Sequence, residues 1–288
     1  MKEGAVTGEI APGPQAIRLE GLWIYPIKSC AGVTVSGAEL DAQGGLKGDR
    51  EWVVVNANGE MQWQGGIPRL ALVQPVPEAD LLRLQAPGAS SLKVDPTARG
   101  EHCDVKIWNE ITRAFDRFEG WEAGRAAGEW FSDFLGQPLR LVRLGATALR
   151  RPTANPLHVV TSASLRQLNM RMQAGGLAPV QLERFRPNLL VDSPTGVLAP
   201  FAEERFASLS WPQSSGAPLL RLVDSCVRCV MVNINPRDAS VTKEPLATVA
   251  QMSRERRPDA PPSFGVYGRG QNGGVLTRGD LGWAEMRS

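Results

Sequence analysis

Turn-forming residues dominate this sequence: 30 glycines and 22 prolines are spread through 288 residues, so few stretches suit a long helix. Proline removes a backbone donor and glycine weakens a helix interior, whereas turns between short strands accept both. Hydrophobic residues make up 42% and charged residues 22%, which is enough apolar surface for a packed core and excludes wholesale disorder. The sequence therefore predicts an α+β protein that is rich in β-strands and has few helices.

The balance of charge argues against nucleic-acid or membrane partners. Lys and Arg number 32 against 30 acidic residues, so the net charge of +2 gives no bulk positive field. The first residues lack the basic and apolar regions of a secretory signal, and no apolar stretch approaches the ~20 residues of a membrane span. Four cysteines do not make a disulfide framework. We expect a cytoplasmic protein whose residues 1–15 form a flexible tail.

Local patterns place the main elements. Alternation predicts a strand from about Ile17 to Ile24 and a β-hairpin over 52–64 with an Asn- and Gly-containing turn. Apolar residues at helical spacing predict a helix over 121–135, and a hydroxyl cap predicts another that begins at about residue 161. A further strand is expected at 229–234.

Reactive side chains are scarce, because the chain has only two histidines and four cysteines. Two of the cysteines form the motif Cys226-Val-Arg-Cys229. Several interpretations remain open: half of a zinc site completed by Cys30 and Cys103, a redox pair, or two inert buried thiols. A fourth is a single thiolate activated by the adjacent Arg228. A thiolate of this kind is a good ligand for a redox metal.

Cations gather in two further segments at predicted strand ends. The first is Tyr25-Pro-Ile-Lys-Ser-Cys30, followed by Gly48-Asp-Arg50, and the second is Arg184-Phe-Arg-Pro-Asn188. Arginine offers a planar fork that suits phosphate or a conjugated heterocycle. The alternative for each of these arginines is a place on a solvated surface.

These segments, taken with Lys243-Glu-Pro-Leu246 in this order and spacing, resemble the MOSC family, named for the C-terminal domain of molybdenum cofactor sulfurases. The similarity is to its two-part members, which include the mitochondrial amidoxime-reducing component and bacterial relatives. The resemblance implies an N-terminal MOSC β-barrel-like domain at 16–145. It also implies a C-terminal MOSC β-barrel domain with a few helices at 146–288. The Gly-, Pro- and Arg-containing stretch at 145–156 would join the two.

The resemblance also implies a site. The expected cofactor is molybdenum bound to a pyranopterin (Mo-molybdopterin), with Cys229 as both its metal ligand and the catalytic residue. The positions that match the family's cofactor contacts are Lys28, Ser29, Arg50, Asn155, Arg186, Asn188, Arg228 and Tyr267. Four of these residues are cations, which agrees with the paired charges that a buried phosphate and dithiolene require.

The function implied by the resemblance is reduction of N-hydroxylated compounds, such as hydroxylamines, amidoximes and N-hydroxylated bases, to amines. No cysteine follows Cys229 and no Gly-x-Gly-x-x-Gly follows a predicted strand, so neither a plant-type iron–sulfur cluster nor a dinucleotide domain is expected in this sequence. A separate donor is expected, of ferredoxin or cytochrome b5 type with its reductase.

Two other functions stay open at this point. One is a molybdenum cofactor carrier or sulfur-transfer protein without reductase activity, and the resemblance also carries a family-level association with pyridoxal phosphate binding. The other is a non-catalytic β protein that holds a structural zinc on its four cysteines.

Overall fold

The computed structural model describes residues 13–97, 99–151, 157–196 and 198–287, and short strands make up most of its regular structure. In the first half the strands are β1 (Gln15–Ile24), β2 (Val33–Thr34), β3 (Gly37–Glu39), β4 (Trp52–Asn56), β5 (Gln74–Glu78), β6 (Leu81–Gln85), β7 (Leu92–Val94), β8 (His102–Asn109), β9 (Ala114–Glu122) and β10 (Leu139–Leu144). In the second half they are β11 (Leu157–Thr161), β12 (Leu189–Asp192), β13 (Phe206–Ser210), β14 (Leu219–Val227), β15 (Ser263–Gly270), β16 (Val275–Thr277) and β17 (Leu281–Met286).

Helices are few among the described residues, which confirms the predicted fold class. The α-helices are α1 (Arg125–Leu135), α2 (Ala146–Leu149), α3 (Ser162–Ala174) and α4 (Leu246–Arg256). Short 3-10 helices occupy Pro68–Leu72, Leu182–Phe185, Ala202–Arg205 and Val230–Asn233. In the described ranges, none of these helices has the length and apolar character needed to cross a membrane.

Seven strands close into a barrel in the order β1-β12-β11-β15-β14-β13-β17, because β17 pairs back with β1. Strand β1 makes both closing contacts. Its first residues, from Gln15 to Arg18, pair with β17, and the stretch from Arg18 to Leu22 pairs with β12. A strand from the beginning of the chain therefore completes a barrel whose other strands all follow residue 156. The boundary at 145–146 stays a prediction.

The barrel interior is packed with apolar side chains. Ile17 and Leu19 of β1 point inward and are fully buried, as is Trp211 after β13. Each such side chain contributes about 1.5–3 kcal/mol by leaving water. Strands β11 and β12 run parallel, so α3 forms the crossover between them. The predicted start of this helix is confirmed, since the Thr161 hydroxyl accepts a hydrogen bond from the Ser164 N–H.

Strands that precede β11 in the chain form a four-stranded sheet, β4-β10-β9-β8, and a three-stranded sheet, β5-β6-β7. Helix α1 packs on them through Phe131 and its apolar neighbours. The predicted end of this helix is confirmed, because Gly136 takes the left-handed cap conformation. The predicted start at 121 is wrong. Trp121 and Glu122 belong to β9 and pair with β10, and the helix begins at Arg125.

Two predicted strands differ from the structure. The first strand of the hairpin at 52–64 is β4, but the return strand is reduced to a single bridge between Val55 and Met61. The strand expected at 229–234 is wrong. Strand β14 instead runs through Val227, the Arg228 N–H still donates to Pro262 O, and the chain then coils into a 3-10 helix. The cysteine motif therefore spans the end of a strand and does not lead into one.

Gly265 on β15 lies where an added side chain has no room. Its φ is +74°, and a Cβ would lie 2.4 Å from His158 Nε2 and 2.6 Å from Val159 O. We expect Gly265→Ala to lower the free energy of unfolding by about 2–4 kcal/mol, measured by urea denaturation. Gly273→Ala is the control, because nothing lies within 4 Å of its Cβ position. Equal midpoints for the two variants would contradict this packing of β15 against β11.

Candidate functional site

Four segments that are distant in sequence meet in one cluster. They are residues 28–30 after β1, residues 49–50 before β4, residues 185–188 before β12 and residues 226–228 at the end of β14. Arg50 Nη1 donates to Asn188 Oδ1 at 3.0 Å, and Arg228 Nη2 donates to Phe185 O at 2.8 Å. Three of these four segments are thus in direct contact, and Arg186 Nη1, which donates to Cys30 O, adds the fourth.

Tyr25 lies at the centre of this cluster. Two guanidinium groups lie over its ring, with the Cζ atoms of Arg186 and Arg50 at 4.3 and 4.7 Å from the ring centroid. The hydroxyl donates to Pro187 O at 3.0 Å, and burial raises the pKa of Tyr25, which keeps it a neutral donor. Sequence reasoning quoted Tyr25 only as part of a motif and missed it as a site residue.

Arg50 is bound by side chains of the protein itself. It forms an ion pair with Asp49, whose Oδ1 accepts from the Tyr25 N–H at 2.7 Å. Burial raises the pKa of Asp49, and Arg50 opposes that shift. Asn188 adds a rigid acceptor, because its amide also accepts from the His158 N–H and donates to the backbone of β1. Arg50 therefore has its charge compensated within the protein.

Lys28 and Arg186 have no such compensation. Neither forms an ion pair with any carboxylate of the described residues. Burial, together with Arg151, Arg50 and Arg186 nearby, lowers the pKa of Lys28 to about 7, and burial lowers the pKa of Arg186 to about 10. Lys28 and Arg186 are half-buried cations that repel each other, and a bound anion would offset the cost of keeping both charged.

Backbone strain coincides with these residues. Ser29, Arg50 and Arg186 all lie in the left-handed region, with φ of 69°, 54° and 54°. Each such residue costs about 1–3 kcal/mol and persists only where the surroundings fix it, as at binding sites. Three of the predicted cofactor residues therefore share an unusual conformation in one cluster.

The four cysteines lie in different environments and all are free thiols. Cys229 is exposed at the start of the 3-10 helix, while Cys226 is buried on β14. Burial raises the pKa of Cys30 to about 12, and Cys103 is half-buried on β8. Among the residues that the structure describes, no three His, Cys, Asp or Glu side chains are grouped to hold a metal ion. The four-cysteine zinc site is therefore not assembled.

Tyr267 and His158 complete the cluster on its barrel side. Their rings lie 6.3 Å apart on the paired strands β15 and β11, and burial together with Cys226 raises the pKa of Tyr267. His158 Nε2 is 2.9 Å from Phe264 O. Sequence reasoning missed His158, although a polar residue inside the buried strand Leu157–Thr161 was a usable signal. Asn155 lies outside the described residues, so its role stays a prediction, as does the association with pyridoxal phosphate.

A cavity of about 290 Å³ adjoins the cluster. It lies between the loop at 31–34, the segment at 64–74 and the turn at 231–237, and Arg186 forms part of its wall. Gln181 Oε1 and Arg184 Nε, which also line it, are buried without a hydrogen-bond partner. The cavity therefore offers both an unused acceptor and unused donors beside the uncompensated cations.

Comparison with known proteins agrees with this geometry. Residues 16–138 match the family described as MOSC N-terminal beta barrel domain, and residues 136–281 match the MOSC domain. The chain belongs to the MOSC-domain family. The MOSC match covers the whole cysteine motif and the strands β11 to β16, and the N-terminal match covers Lys28, Ser29 and Arg50.

Relatives within the MOSC family fall into two groups. The chain is 32% identical to the mitochondrial amidoxime reducing component 2 of Bos taurus, with 90% of this chain and 80% of the relative covered. It is 31% identical to the mitochondrial amidoxime-reducing component 1 of Homo sapiens, with the same coverage. It is 29% identical to the molybdenum cofactor sulfurase of Danio rerio over 86% of this chain, but it spans only 31% of that protein's length.

The described residues fit the molybdenum–pyranopterin group expected of a MOSC protein. Three buried donors in the cluster have no hydrogen-bond partner: Ser29 Oγ, Arg186 Nη2 and Arg228 Nε. An unmet buried donor costs about 1–3 kcal/mol, so three on predicted cofactor residues point to an absent acceptor. A phosphate carries the negative charge and the acceptor oxygens that these donors and Lys28 lack.

Proposed function

We propose that this chain binds a molybdenum–pyranopterin cofactor and reduces N-hydroxylated compounds to amines. The observation that carries the proposal is the pair of uncompensated cations, Lys28 and Arg186, with unpartnered donors around them and a free, exposed cysteine, Cys229, next to Arg228 in the chain. The relatives named amidoxime-reducing components support the reductase part.

Six residues bind the cofactor in this proposal. Lys28, Ser29 and Arg186 bind the cofactor's phosphate, Arg228 and Tyr267 donate to its remaining polar atoms, and Cys229 supplies the thiolate that binds the metal. When bound, the group would supply the two-electron redox chemistry that reduction of an N-hydroxyl substrate requires. Overall, one N-hydroxyl compound, two electrons and two protons give one amine and one water.

Electrons come from a separate donor protein in this proposal, of ferredoxin or cytochrome b5 type with its reductase, and the protein works in the cytoplasm. The substrate enters from the surface at which Cys229 is exposed. The protein's part is to hold the cofactor and to keep its metal ligand open to small molecules.

The test is a reduction assay on protein made in a host that produces the cofactor. A chemical reductant replaces the natural donor, and a hydroxylamine, an amidoxime and an N-hydroxylated base are followed to their amines. We expect turnover of at least one class. Protein that holds one molybdenum per chain and turns over none of the three would overturn the reductase proposal. A persulfide on Cys226 or Cys229 in its mass spectrum would then favour sulfur transfer.

Anion binding at Lys28 is expected to depend on pH. In the cofactor-free chain the pKa of Lys28 is about 7, and a bound anion raises it, so binding above pH 7 takes up one proton. Sulfate, whose charge is constant from pH 6 to 9, should therefore bind up to about tenfold more weakly per pH unit above 7. Calorimetric titration of the wild type and Lys28→Met measures this, and the variant should show a flatter profile. Parallel profiles would contradict it.

A further inference from the structure

Cys226 is buried, with 2% of its surface exposed, and its sulfur accepts a hydrogen bond from Arg228. Arg228 Nη1 lies 2.8 Å from the sulfur, and a guanidinium this close to a thiol stabilises the thiolate. A guanidinium can only donate, so the sulfur must accept.

The groups that face Cys226 come from every neighbouring element. Arg228 follows it on the chain, His158 faces it from β11, and Tyr267 faces it from β15. His158 Nε2 must donate to Phe264 O, and its Nδ1 has no partner of its own. Burial opposes ionisation of Cys226, but Arg228, His158 and Tyr267 together lower its pKa below the ordinary value.

Cys30 shows what the same chain does with a buried cysteine that lacks donors. It is fully buried, and burial raises its pKa to about 12, with Arg186 as the only opposing influence. The two thiols therefore differ in their partners and not in their burial. The arrangement around Cys226 is specific to an anion.

The consequence lies in the position of Arg228. Its Nη1 is held by the Cys226 sulfur and its Nη2 by Phe185 O at 2.8 Å, which leaves Nε as the free donor. Cys226 thus holds the guanidinium of Arg228 as Asp49 holds that of Arg50. In each pair an anionic side chain of the protein fixes an arginine.

We propose that Cys226 is a resident thiolate that positions Arg228 at the cofactor site, while Cys229 alone is left to bind the metal. The positioning part rests on the proposed function, because it assigns Arg228 to the cofactor. The thiolate part does not, since it concerns the chain alone. The two cysteines of the motif therefore have different tasks.

The thiolate is tested on the full chain made without cofactor, by its absorbance near 240 nm from pH 5 to 9. We expect the wild type to exceed Cys226→Ser by one thiolate at pH 7.5, and Cys30→Ser to equal the wild type. Identical spectra for the wild type and Cys226→Ser would overturn the proposal. If Cys226→Ser does not fold, Cys226→Ala in the same measurement serves instead.

Positioning is tested by the pterin retained per chain after gel filtration of loaded protein. Loss of a charge-assisted bond predicts retention about 10- to 100-fold weaker in Cys226→Ser, with Cys103→Ser unchanged. Equal retention in both variants would overturn the positioning role, even with the thiolate present. A chain that binds no molybdenum or pterin at all fails the proposed function, and the absorbance measurement still decides whether Cys226 is a thiolate.

Discussion

Replacement of Cys229 by alanine is expected to lower the reduction of N-hydroxylated substrates more than about 100-fold. Loss of an outer partner of a metal ligand already costs about 10- to 100-fold, so loss of the ligand itself should exceed that. The fold should be almost unaffected, because the side chain is exposed and no hydrogen bond to it is seen among the described residues. We expect the free energy of unfolding to change by less than about 0.5 kcal/mol.

Cys103→Ala is the matched control for this variant. Cys103 lies half-buried on β8, in the sheet that does not belong to the barrel, and it should leave both activity and metal content unchanged. The measurement is initial rate with a chemical reductant, alongside molybdenum per chain. Full activity in Cys229→Ala would remove this residue from the metal, and equal losses in both variants would show a general effect on folding.

Replacement of Arg186 by methionine should cost most of the bound cofactor. Arg186 is a half-buried cation without an ion-pair partner among the described residues, and its buried Nη2 is an unused donor. Removing a charged hydrogen-bond donor predicts affinity about 10- to 100-fold weaker. The same change relieves Lys28 of one like charge, so the pKa of Lys28 should move back toward its ordinary value.

The readout is pterin released per chain, measured by its fluorescence after gel filtration. Arg186→Lys should give an intermediate value, because it keeps the charge and loses the planar fork. Arg117→Met on β9 is the control, since that side chain is 67% exposed. Wild-type pterin content in a folded Arg186→Met protein would contradict the place given to the phosphate.

The sequence predicted those parts of the fold that local chemistry decides. Gly136 ends α1 through its left-handed conformation and Thr161 caps α3 through its hydroxyl, and both signals act within a few residues. Where distant pairing decides, the predictions were wrong. Trp121 joins a ladder with β10, and the residues after Cys229 lie outside the sheet because β15 begins at Ser263, opposite Val227.

The site could be predicted only in part from the sequence, because it too depends on contacts between distant residues. Lys28, Arg50, Arg186 and Arg228 were found because their motifs resemble a family, and the structure brings them together. The contact of Tyr25 with the Arg186 guanidinium joins residues that are 161 positions apart. Spacing along the chain carries no information about such contacts.

The difference between the two motif cysteines also needed the structure. Cys226 and Cys229 are three residues apart and chemically identical in sequence. The end of β14 falls between them, so one faces the interior and the other the surface. If residues 229–234 formed a strand, as the pattern predicted, Cys226 and Cys229 would both lie in different surroundings.

The most direct test of a molybdenum–pyranopterin site built on Lys28, Ser29, Arg186 and Cys229 is metal and pterin analysis of the purified chain. The protein is made in a host that produces the cofactor and is compared with Arg186→Met. We expect molybdenum and pterin in equal amounts, approaching one per chain, with both depleted in the variant. A folded wild-type chain that carries zinc, or pterin-free molybdenum, would contradict the account.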